Sequence, residues 1–111
     1  MSAVLDAAVL ADLIEHIGDE AARAVIELFI GECRDLTAAM TAAQADRAAV
    51  GRAAHSLKSS AGQLGAIALS EAALAVEDAA ESGSPALSEL IAALTRCAEA
   101  TEAALARRPQ S

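Results

Sequence analysis

The chain holds 111 residues and 11.1 kDa, which suits one domain of ordinary size and excludes two separate cores. Apolar types make up 55% of it with one Phe, no Tyr and no Trp, so alanine carries the count and packed helices are favoured over strands, which draw on aromatic and β-branched residues. A formal charge of −8 has the wrong sign for neutralising phosphates and excludes nucleic acid as the expected partner.

A short first helix is predicted from about residue 3 to 16, with Val4, Leu5, Val9, Leu13 and Ile17 at mixed spacings of three and four. Gly18-Asp19 stops it and starts the next. A helix this short reads as a lid on longer ones. The second is predicted over residues 19–44, where Ala22, Val25, Phe29, Cys33, Leu36 and Met40 form a core stripe. Asp46 is placed to cap a third helix starting at Arg47, with Val50, Ala54, Leu57, Ala61 and Leu64 as its stripe and an end near Gly62 or Gly65. The fourth runs over residues 66–81 and is expected to bury Leu69, Ala73, Leu74 and Val76. It stops at Ser82-Gly83-Ser84-Pro85, where Ser84 as cap and Pro85 as first helical residue give the strongest start signal in the chain. The fifth carries Leu87, Leu90, Ile91, Leu94, Cys97, Thr101 and Leu105 until Arg107, Arg108 and Pro109 close it.

Short joints force antiparallel neighbours, so the expected fold is all-α: an up-and-down antiparallel four-helix bundle with a short additional N-terminal helix. Residues 1–108 form one domain on this reading, and 109–111 a flexible tail. Met1 and the early start of structure give the expectation of a free-standing protein, and a monomer suffices.

Cys33 and Cys97 are too far apart to be a metal-ligand pair or a disulfide framework and read as small apolar fillers in a reduced interior. Asp6, Asp12 and Glu15 interrupt the N-terminal segment, which rules out a secretory signal, and no long uncharged apolar run suggests a membrane span. A cytoplasmic location is the default. Neither a glycine-rich nucleotide loop nor a His-Glu-x-x-His pattern is present, so neither ATP-dependent autophosphorylation nor an intrinsic metal or other cofactor is expected. Glu77 with Asp78, and Glu99 with Glu102, read as solvated helix faces. His16 reads as a favourable charge at the C-terminal dipole of the first helix.

The third helix is the unusual one. On a wheel of 100° per residue its apolar stripe clusters within roughly a quarter turn, and His55 lies about 140° from the stripe's centre, pointing to water. Ala48, Arg52, Ser59 and Gly62 share that outward face, and apart from the arginine all are small enough to let a partner's backbone approach the ring. Arg47, Arg52 and Lys58 stand in a stretch with no Asp or Glu from Arg47 to Ser70, so the local potential is expected to be positive. Lys58 lies one turn beyond His55, within reach of an anion carried on the ring. An exposed imidazole flanked by a flexible cation suits a nucleophile that takes and returns a phosphoryl group.

The run His55-Ser56-Leu57-Lys58-Ser59-Ser60-Ala61-Gly62-Gln63-Leu64-Gly65-Ala66 resembles the signature of histidine-containing phosphotransfer (HPt) domains, in which His-x-Leu-Lys-Gly precedes small residues and a second Gly. The helix order, Phe29 in the second helix and Asp46 ahead of the histidine helix extend the resemblance over most of the chain. It implies that His55 accepts phosphate on its outward Nε2, that Lys58 stabilises the phosphoryl group, that Leu57 packs inward, and that Gly65 is the second glycine. Ser59 stands where most members have Gly, which bears on docking. The implied partners are a response-regulator receiver domain, which brings the phosphoaspartate and Mg²⁺, and a hybrid histidine kinase. A competing expectation is a helical adaptor or inhibitor that docks through the same face without carrying phosphate. A hydrolase is disfavoured, because no histidine close in sequence completes a triad with Ser56, Ser59 or Ser60.

Overall fold

Asp6 opens the first helix by accepting a hydrogen bond from the Ala8 amide at 3.0 Å, which satisfies one of the donors a helix start leaves free. The computed structural model describes residues 3–108. It contains five helices, α1 (Ala7–Ile17), α2 (Asp19–Ala42), α3 (Arg47–Gln63), α4 (Ile67–Ser82) and α5 (Leu87–Arg107), and no strand among the described residues. The tail expected at 109–111 lies outside them. Helices α2 to α5 form a closed ring of neighbours, α2 on α3, α3 on α4, α4 on α5 and α5 on α2, while α1 lies against α2. The expected four-helix bundle with an added N-terminal helix is the architecture observed.

The core runs the length of the bundle. Met40, Val50, Leu57, Leu69, Val76, Ile91, Leu94 and Thr101 are its largest fully buried side chains, and burying each apolar one contributes about 1.5–3 kcal/mol. Small residues bring α3 and α4 close: Ala54, Ala61 and Ala73 are fully buried, and a Cβ on Gly51 would meet Ala80 at 3.8 Å, ordinary contact.

Several elements differ in detail from expectation. Helix α1 begins at Ala7, not residue 3, and its buried residue is Leu10, whereas Val4 and Ile17 are exposed. On α2 the stripe is Ala22, Ile26, Phe29, Cys33, Thr37 and Met40; Val25 is 37% exposed and Leu36 only half-buried. Thr37 could take the inward place because its hydroxyl donates to the Cys33 carbonyl at 2.8 Å, so the buried polar group keeps a partner. Leu74 points outward at 42% exposure, and Ala73, with a side chain short enough for the close approach to α3, occupies the inward seat. Helix α2 ends at Ala42, and α5 begins at Leu87 with Ser84 and Pro85 in the turn before it. Ser84 Oγ still accepts from the Ala86 amide at 3.1 Å.

The joint after α3 is the most constrained. Gly65 has φ of +75° and would place a Cβ 2.8 Å from Val9 Cβ and 3.0 Å from the Asp6 carbonyl, so both backbone shape and space require glycine there. Its carbonyl accepts from the Asp6 amide at 2.7 Å, and the Ala3 carbonyl accepts from Ala68 at 3.1 Å. Residues 3–6 therefore strap the α3–α4 turn, tying the lid helix to the element that carries His55.

Candidate phosphotransfer site

Asp46 starts α3 by accepting from the Ala49 amide at 3.1 Å, and the inward seats of Val50, Ala54, Leu57 and Ala61 set the helix rotation. That rotation leaves Ala48, Arg52, His55, Ser59 and Gly62 exposed along one side, the face the periodicity predicts. Leu57 is fully buried behind them. His55 stands out from the rod with 61% of its side chain exposed, and Lys58 lies lower at 29%.

Between them sits a residue that the sequence reading assigned to a solvated face. Glu77 on α4 is only 22% exposed in its side chain and bridges the two. Its Oε2 is 2.8 Å from His55 Nδ1, and its Oε1 accepts from Lys58 Nζ at 2.8 Å. The Lys58 hydrogen bond, followed by that of His55, holds the Glu77 carboxyl below the usual carboxylate value, against partial burial that pushes the other way. A signal for this contact was present in the sequence. In an antiparallel pair turning at Gly65, His55 lies ten residues before the turn and Glu77 twelve after it, so equal rise brings them side by side.

The same helix corrects the expected positive patch. Arg47 turns away to donate to the Ala79 carbonyl at 3.1 Å and the Ser84 carbonyl at 2.9 Å, capping the C-terminal end of α4. Lys58 is paired with Glu77. Arg52 and Glu81 flank the groove beside His55, floored by Gly51 and Ala80. The face is thus mixed in charge, because α4 supplies acids that the α3 sequence lacks.

Other candidates lie elsewhere. His16 Nδ1 is 2.7 Å from the Asp12 carbonyl, at the helix end as expected. The Cys33 thiol is pushed up to about 12, first by burial and then by Glu32 and Glu102, and burial also raises that of Cys97; both are inert fillers near neutral pH. No group of three or more metal-ligating side chains occurs among the described residues.

The profile of the Hpt domain family matches residues 24–104, from the first turns of α2 almost to the end of α5. The chain belongs to the Hpt domain family. Its fold is also that of the histidine-containing phosphotransfer protein B (HptB) from Pseudomonas aeruginosa PAO1, known from a crystal structure, with a TM-score of 0.89 and 26% identity over 96% of this chain and 95% of the other. No match was found among curated proteins. His55, exposed, and Leu57, fully buried, both lie within the matched span.

Proposed function

We propose that this Hpt protein is a phosphoryl carrier that accepts the group on His55 Nε2 and exchanges it with the phosphoaspartate of a response-regulator receiver domain. The observation that carries this reading is the His55 ring, 61% exposed in its side chain on a rigid rod with its Nδ1 engaged by Glu77. In the step, the Nε2 lone pair forms the N–P bond. The P–O bond to the donor aspartate breaks, and its electron pair stays on the carboxylate. Reversal returns the group to an aspartate.

Lys58 sits one turn along with its ammonium inside the site, where it supplies a mobile point charge for the phosphoryl oxygens. The partner supplies Mg²⁺ and most of the electrostatics, so this chain is a carrier without turnover of its own. The docking face comprises Ala48, Arg52, Ser59 and Gly62, all exposed around His55, and a hybrid histidine kinase is the second partner of this reading. A cytoplasmic location accompanies that role, and no helix among the described residues is long and apolar enough to cross a membrane.

The test is incubation with a phosphorylated receiver domain and Mg²⁺, following acid-labile, base-stable label on this chain. Wild type takes label and His55→Gln takes none. A receiver that binds while label never appears would replace the carrier with a non-phosphorylated adaptor.

A further inference from the structure

We propose, on the carrier reading, that Arg52 is the second cation of the phosphoryl site, binding the oxygens of the group on His55 from the other side of the ring to Lys58. A charge count leads there. When the His55 Nε2 lone pair forms the N–P bond, the donor aspartate keeps the electron pair of the broken P–O bond. The chain therefore gains a phosphoryl group and a unit of negative charge. The groove beside the ring already holds two carboxylates, Glu77 and Glu81. The Lys58 ammonium is matched by Glu77, with Nζ 2.8 Å from Oε1. Arg47 commits its guanidinium to the Ala79 and Ser84 carbonyls at the end of α4. The arriving charge lacks a counter-ion unless Arg52 provides one.

Arg52 is free to provide it. Its side chain is exposed, and among the described residues no hydrogen bond or ion pair engages its guanidinium. The seats of Val50, Ala54 and Leu57 set the rotation of α3, so Arg52 is not needed for packing. An exposed arginine without a partner is ordinary on a protein surface, but this one lies beside the atom that gains the charge. Arg52 and Lys58 stand three residues before and three after His55, one turn away in each direction and about 60° to either side on the wheel. Arg52 and His55 also line the same groove. A guanidinium offers a planar fork of donors that can take two phosphoryl oxygens at once, which the single ammonium of Lys58 cannot.

The phosphoryl group itself reports the contact. Full-length protein would be phosphorylated with phosphoramidate, and the ³¹P resonance of phospho-His55 followed as pH is raised through the second ionisation of the group, which for phosphate esters lies at about pH 6. A cation in contact favours the dianion and lowers the midpoint. Arg52→Gln is expected to raise it by about 0.2–0.7 of a pH unit, the range of an exposed ion pair. Arg52→Lys keeps the charge and is expected to recover most of that difference. Arg96→Gln serves as the charge control, since Arg96 is exposed on α5, diagonal to α3 in the bundle, and it is expected to leave the midpoint in place. Because the label is acid-labile, Arg52→Gln is also expected to lose it about two- to fivefold faster near neutral pH, the factor by which the protonated phosphoryl form is enriched.

An Arg52→Gln midpoint equal to that of wild type, or a shift of the same size in Arg96→Gln, would overturn the assignment and leave His55 as the carrier. So would an Arg52→Lys midpoint that stays with Arg52→Gln. Wild type that takes no label from phosphoramidate would overturn the carrier reading, and the role of Arg52 with it.

Discussion

His55 and Leu57 are two residues apart on α3 and differ in every physical respect. Leu57 is fully buried, so Leu57→Ala removes packed methyl groups and leaves a cavity at a cost of about 2–4 kcal/mol. Urea denaturation should show the lowered midpoint, and an unchanged midpoint would mean that the helix is rotated differently. His55 projects from the rod, so His55→Gln should keep the wild-type denaturation midpoint to within about 0.5 kcal/mol while losing phosphoryl acceptance. Both placements could be read from the sequence because period 3.6 separates them by angle alone. Glu77 could not be read that way. Its own helix shows only that it flanks the Val76 and Ala80 seats, and its partners lie 22 and 19 residues away on another helix.

Helix ends and stripes were legible where a local hydrogen bond or steric rule decided them. Asp46 before α3 is such a case, with its side chain on the Ala49 amide. The α2 stripe lies one seat from expectation at two positions because apolar character alone does not separate Val25 from Ile26 and shows no partner for a polar side chain; Thr37 becomes acceptable inside only through its bond to its own helix. Arg47 was misread for a related reason. As part of a sequence window it counts as surface charge, but its guanidinium spans to the carbonyls of Ala79 and Ser84, adding side-chain donors to the backbone amides that already close the end of α4. Arg47→Met, which keeps the stem and removes the donors, should therefore destabilise the protein by about 1–2 kcal/mol. Thermal unfolding against wild type tests it, and no change in Tm would show that water serves those carbonyls equally well.

For the molecule as a whole, the strap over the α3–α4 turn joins the lid helix to the helix pair that bears the site. Gly65→Ala should cost about 2 kcal/mol or more, since positive φ penalises a Cβ and this one would also collide with Val9. A midpoint equal to wild type would mean that the strap is dispensable. The α3–α4 pair also gives stability an acid dependence. The folded Glu77 carboxyl titrates below its usual value, held there by Lys58 first. Its contribution is therefore fully present above the ordinary carboxylate range and is lost as pH falls through the lowered value. The stability gap between wild type and Glu77→Gln should be widest near pH 6–7 and close as the protein is taken below about pH 4. A gap independent of pH would contradict the ion pair. Bundle class and site helix follow from patterns within single helices, whereas the strap and the Glu77 bridge arise only when helices meet.

On the proposed reading one ring nitrogen, Nε2 of His55, carries the phosphoryl group, and the position of that group on the ring can be measured. Protein uniformly labelled with ¹⁵N and phosphorylated by phosphoramidate would be held at alkaline pH and examined for ³¹P–¹⁵N coupling. The account predicts a single phosphoryl group coupled to Nε2 of His55 and none on His16. Coupling to Nδ1, or phosphate on any other residue with His55 unmodified, would contradict it.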